Sequence, residues 1–83
     1  MRLVFAGFAI STLLACKSDA QKCVSSTFEE NIPICERACE AKDAKACEQL
    51  GYINELYRHV PEAKSAYRKA CDLGDSDACA RVK

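Results

Sequence analysis

The segment KACDLGDSDAC, residues 69–79, sets two cysteines eight positions apart around a Gly-Asp pair, and RACEAKDAKAC, residues 37–47, sets another two with the same spacing 32 residues earlier. Along one unbroken helix, eight residues separate the Cα atoms by about 12 Å, whereas a disulfide needs them within about 7 Å. A bonded pair with this spacing therefore requires the chain to reverse between its cysteines. Gly74-Asp75 offers that reversal in the second segment, because glycine accepts a left-handed helix end and aspartate caps the helix that follows. In the first segment Lys42-Asp43 has to do the same.

The chain has 83 residues with seven cysteines and no tryptophan. That length holds one small domain, and cysteine density of this kind compensates for a core too small to hold itself together. It also points to an oxidising compartment. Lys plus Arg and Asp plus Glu both total 12, so no field of one sign argues for nucleic acid or for an anionic membrane surface.

The N-terminus, MRLVFAGFAISTLLAC, has one basic residue, Arg2, before an apolar run from Leu3 to Leu14. Twelve residues reach only about 18 Å as a helix against a hydrocarbon core of about 30 Å, so the run reads as an export signal in preference to a spanning anchor. Leu13-Leu14-Ala15-Cys16 resembles the bacterial lipobox, with Leu14 bulkier than the usual residue at that place. The resemblance implies a signal peptide over residues 1–15, cleavage before Cys16 and acylation of Cys16, and two or more acyl chains anchor a protein stably. Lys17 is not the aspartate associated with inner-membrane retention, which favours the outer membrane, facing the periplasm or the exterior; a plain secreted form is the alternative. Residues 16–25 read as a lipidated tether and 26–83 as the folded domain.

The two cysteine segments superimpose at an offset of 32, with Ala, Cys, Asp, Ala and Cys in register and with charge kept at Arg37/Lys69 and Glu40/Asp72. Between them, Leu50-Gly51, Ala63, Tyr67 and Ala70 fall at the spacing of a tetratricopeptide-type helical hairpin. The chain thus resembles the SEL-like repeat family, whose cysteine-rich bacterial members carry C-x7-C at repeat junctions. The resemblance covers about residues 35–83, one complete unit and two fragments. Asn54 stands where an aromatic is common, and Cys35 where the next unit has Tyr67. The fold implied is all-α, with helical hairpins stapled by disulfides.

Local signals agree. Asp43 caps a helix running to about Tyr57, with Ala46, Cys47, Leu50, Ile53, Asn54 and Tyr57 as its buried stripe. Gly51 lets a neighbouring helix come close. Pro61 opens a second helix with Ala63, Ala66, Tyr67 and Ala70 inward, Gly74 ends it, and Asp75 starts another. Upstream, Ser26-Thr27-Phe28-Glu29 offers a capping box, and Pro33 starts or kinks a helix ending near Lys42.

With Cys16 acylated, six cysteines remain, and six permit fifteen connectivities. Repetition and the family resemblance imply Cys39–Cys47 and Cys71–Cys79, each clamping one helix end to the next helix start. Cys23–Cys35 is then the pair left over. The same cysteines drawn as zinc or copper ligands lack a C-x2-C pair and have only one histidine to join them, and no C-x-x-C redox motif occurs. No cofactor or metal is expected.

Some members of the family are described as beta-lactamase-like, penicillin-binding hydrolases. Here no S-x-x-K, S-D-N, K-T-G or H-E-x-x-H occurs, so no catalytic residue is assigned and an enzyme is not expected. His59 reads as a surface histidine in a loop. The function expected is a membrane-anchored protein-binding or scaffold module, with Tyr52 and Arg58 as contact residues for a protein or peptide partner. The alternatives are the beta-lactamase-like hydrolase and a repeat fragment that docks onto a larger repeat protein through an apolar end including Ala78 and Val82.

Overall fold

The computed structural model describes residues 18–83; the expected signal segment 1–15, the expected lipid site Cys16 and Lys17 lie outside those residues. The regular elements among them are all helical: α1 (Asp19–Val24), a 3-10 turn (Glu29–Asn31), α2 (Ile32–Glu40), α3 (Ala44–Leu56), α4 (Val60–Asp72) and α5 (Ser76–Arg81).

The three reversals that join α2 to α5 share one backbone solution. After α2, Lys42 takes φ 73° and its N–H donates to the Cys39 carbonyl at 2.9 Å, while the Asp43 N–H reaches the Ala38 carbonyl at 3.2 Å. After α4, Gly74 takes φ 103°, with Gly74 N–H to Cys71 at 2.9 Å and Asp75 N–H to Ala70 at 3.0 Å. After α3, Arg58 takes φ 64°, with Arg58 N–H to Glu55 at 3.1 Å and His59 N–H to Asn54 at 2.8 Å. This paired bonding is the Schellman ending, which satisfies the last carbonyls of a helix and needs a left-handed residue. Asp43 and Asp75 then cap the following helices, accepting from Ala46 N–H at 2.9 Å and Ala78 N–H at 3.2 Å. α4 has no side-chain cap on its N-terminus, and Pro61 in its first turn has no N–H to satisfy.

Disulfides close over two of these reversals. Cys39–Cys47 and Cys71–Cys79 each bring Cα atoms to 4.6 Å, and Cys23–Cys35 ties α1 to α2 at 4.8 Å. In the first two, a sulfur in the last turn of one helix meets a sulfur in the first turn of the next. The core between the helices is made of small groups: Ala38, Ala46, Ala63, Ala66, Ala70 and Ala78 are buried together with cysteines, around Leu50, Ile53 and Tyr67. Gly51 permits the closest approach, since a Cβ added there would lie 2.7 Å from the Tyr67 ring.

Four features differ from the sequence expectation. Residues 19–24, expected within a tether, form α1: Ser18 Oγ accepts from Gln21 N–H at 3.3 Å, Cys23 is wholly buried, and Asn31 Nδ2 donates to the Lys22 carbonyl at 3.0 Å. Six residues are too few to be helical by propensity, so docking and the sulfur bond order them. Ser26 makes no capping box; its Oγ takes the Phe28 N–H at 3.2 Å, and Glu29 opens the 3-10 turn. Tyr57 follows the end of α3 at the start of the turn and is 40% exposed, outside the buried stripe. Ala78, expected in an apolar docking end, is fully buried among the chain's own helices, while Val82 is half-buried against the core.

A Cβ added at Gly74 would meet open space, but the backbone there is left-handed, so Gly74→Ala is expected to lower stability by about 1 kcal/mol, while Lys42→Gly is neutral or stabilising. Gly51→Ala meets a buried ring and is expected to cost about 1–3 kcal/mol despite alanine's better helix propensity. Thermal melts of the oxidised proteins check all three. Replacing Cys71 and Cys79 together by alanine opens a short closed loop and is expected to cost roughly 2.5 kcal/mol in urea unfolding.

Candidate functional site

Short reversals hold α2, α3 and α4 side by side, and an open groove of about 610 Å³ runs along them. Its floor comes from Leu50 and Asn54 on α3, Cys39 on α2 and Ala66 on α4, all buried. Pro33, in the first turn of α2, and Pro61, in the first turn of α4, line it, and polar side chains of the same two helices form its walls.

Asn54 is the polar group built into this floor. It is only 5% exposed, and its Nδ2 donates to the Leu50 carbonyl one turn back at 3.0 Å, which leaves Oδ1 as an acceptor. A buried amide normally has its groups paired, so an acceptor left over in a groove is suited to an incoming donor. The walls carry Glu36, Arg37 and Glu40 from α2, and Glu62, Ser65 and Lys69 from α4. Arg37 is held outward by Asp19, Nε to Oδ2 at 3.2 Å.

Tyr52 and Arg58, the contact residues expected from sequence, are exposed and do not line this groove. His59 is also outside it, with Nε2 at 3.3 Å from Glu29 Oε2. Cys23, Cys35, Cys39, Cys47, Cys71 and Cys79 are all consumed in disulfides. The one sign of the groove in the sequence is Asn54, a polar residue on an otherwise apolar stripe.

Two charged clusters link side chains of α3 to the start and end of α5. Lys45 Nζ lies 3.3 Å from Glu48 Oε1 and 3.8 Å from Asp75 Oδ2, a buried oxygen with no hydrogen-bond donor. The hydrogen bond to Glu48 and its charge, followed by the charge of Asp75, raise the Lys45 ammonium above its ordinary pKa. Glu48, Asp75 and Asp77 offer oxygens within 4.8 Å of one another; Asp75 Oδ1 caps the helix, and Lys45 lies beside Glu48 and Asp75 Oδ2. At the other cluster, Tyr67 OH donates to Glu55 Oε1 at 3.2 Å, Arg81 Nη1 approaches the same oxygen at 3.5 Å, and the Arg81 guanidinium lies 5.2 Å from the Tyr67 ring centroid. Such stacking adds a cation–π attraction to the ion pair.

No protein-family model matches the chain, and no curated protein or solved structure matches it significantly.

Burial, and then the neighbouring Glu55 carboxylate, push the Tyr67 phenol up to about 12. A pKa raised on folding contributes stability that is fully present below the unfolded value near 10 and is lost as pH rises through the folded value. Absorbance titration at the phenolate band is therefore expected to show one tyrosine ionising near 12, and stability is expected to fall over the interval from about 10 to 12. Tyr67→Phe is expected to reduce that fall, with Lys45 supplying the remainder.

Proposed function

We propose that the chain is a lipid-anchored protein of the bacterial cell envelope, built from SEL-like helical hairpins, that binds a protein or peptide partner in the groove between α2, α3 and α4. The observation that carries the binding reading is the floor of that groove, where Asn54 holds a free carbonyl oxygen beside Leu50 and Ala66. An extended polypeptide offers backbone N–H groups and small apolar side chains that suit such a floor. The identical Schellman endings and sulfur clamps after α2 and α4 support the repeat reading. The anchor rests on the lipobox-like sequence ending at Cys16, because no helix among the described residues is long and apolar enough to cross a membrane.

Catalysis is the weaker reading, since His59 lies outside the groove and the sequence carries none of the S-x-x-K, S-D-N, K-T-G or H-E-x-x-H motifs. The anchor is tested by intact mass spectrometry of the protein taken from native membranes, before and after reduction. The expected result is a chain beginning at Cys16 with the added mass of acyl chains, gaining one hydrogen per sulfur at six cysteines on reduction. A chain that begins elsewhere, or one without acyl mass, overturns the anchor. A photoactivatable residue at Ser65, in the groove wall, is expected to cross-link to protein in the same membranes. Adducts with lipid alone count against partner binding.

A further inference from the structure

The charges around the groove are unequal once their partners are counted. Among the described residues, Glu36, Glu40 and Glu62 make no ion pair, whereas Arg37 is already neutralised by Asp19, leaving Lys69 as the one unpaired cation of the lining. Glu36 and Glu40 are one helical turn apart and so share a face of α2, and Glu62 stands near the start of α4 across the floor. Among the lining groups without an ion pair, three carboxylates therefore stand against one ammonium; Lys69 lies toward the last turn of α4, where it shares an adjoining hollow with Glu40 and Lys42, and leaves Glu36 and Glu62 at the other end.

We infer that the groove selects an extended peptide segment carrying lysine or arginine. This inference rests on the reading of the groove as a protein-binding surface and specifies its partner. Asn54 Oδ1 accepts a backbone N–H of the segment, and its cationic side chains lie along the Glu36–Glu40 row and against Glu62. The neighbouring carboxylates act together on one cation, which strengthens attraction for a basic segment and repels an acidic one. Residues 18–83 carry 10 basic and 12 acidic side chains, a small acidic excess, so the preference rests on where the carboxylates stand in the groove and not on a strongly acidic surface.

The test uses the full, oxidised chain and two labelled peptides of the same length, one alternating lysine with proline and the other glutamate with proline, read by fluorescence anisotropy. The lysine peptide is expected to bind about tenfold more tightly, with affinity falling as salt rises. Glu36→Gln, Glu40→Gln and Glu62→Gln combined change only exposed side chains, so they preserve the helical circular-dichroism signal and are expected to abolish the difference between peptides. Asn54→Ala is expected to weaken both peptides. Equal affinity for the two peptides, or preference for the glutamate peptide, overturns the charge assignment while leaving the groove as a binding surface. Failure of both peptides to bind, or binding indifferent to Asn54→Ala, overturns the assignment together with the reading of the groove on which it rests.

Discussion

Helix ends are the expensive part of a small helical domain, because each leaves carbonyl or N–H groups without partners and gains little apolar burial in return. In this chain the solution is concentrated at the junctions. A left-handed residue completes the last turn, an aspartate caps the next, and a disulfide spans the two at both Lys42-Asp43 and Gly74-Asp75. Interior packing adds comparatively little area, since most buried side chains are alanine or cysteine and only Leu50, Ile53 and Tyr67 are large. Alanine contributes few contacts of its own, but it lets backbones draw together, so the junctions determine how the helices lie and the small residues permit it.

This division explains how legible the fold was. Asp43, Gly74, Asp75 and Pro61 act through their own backbone and neighbours, so their roles as caps, turn and helix start could be read from local chemistry. The inward faces at Ala63, Ala66, Tyr67 and Ala70 follow helical spacing and are buried. α1 was not readable in this way: a six-residue helix has no useful periodicity, and what orders it is Cys35 and Asn31 from beyond its own span. Tyr57 satisfied the spacing of the stripe but fell just past the end of α3, where the backbone turns away from the face. At Ala78 and Val82 an exposed end was expected, yet the short α5 folds back onto α4 under the Cys71–Cys79 bond.

The groove was less visible still, because it is a property of three helices and not of any motif. Asn54 carries little meaning alone; beside Leu50 and opposite Ala66 it becomes an acceptor set in an apolar floor. The ionic residues show the same dependence on context. Arg37 and Glu36 are neighbours in sequence, but only the docking of α1 places Asp19 against the arginine and leaves the glutamate uncompensated. Tyr52 and Arg58, which stand out in the sequence as an aromatic and a basic group free for contact, lie away from that convergence.

The order of the sulfur bonds has a further consequence for biogenesis. Among the paired cysteines each bonds to the next one along the chain: 23 with 35, 39 with 47, 71 with 79, none crossing or enclosing another. A polypeptide threading N-terminus first into an oxidising space would present these thiols two at a time. Once Cys16 is removed from competition by the proposed acylation, vectorial emergence favours the native pattern, because each remaining cysteine meets its partner before later competitors arrive. Cysteines joined with crossing or nested connectivity have no such advantage and depend on later exchange to escape wrong pairings. Here local closure makes the sequence order itself a guide to oxidative maturation.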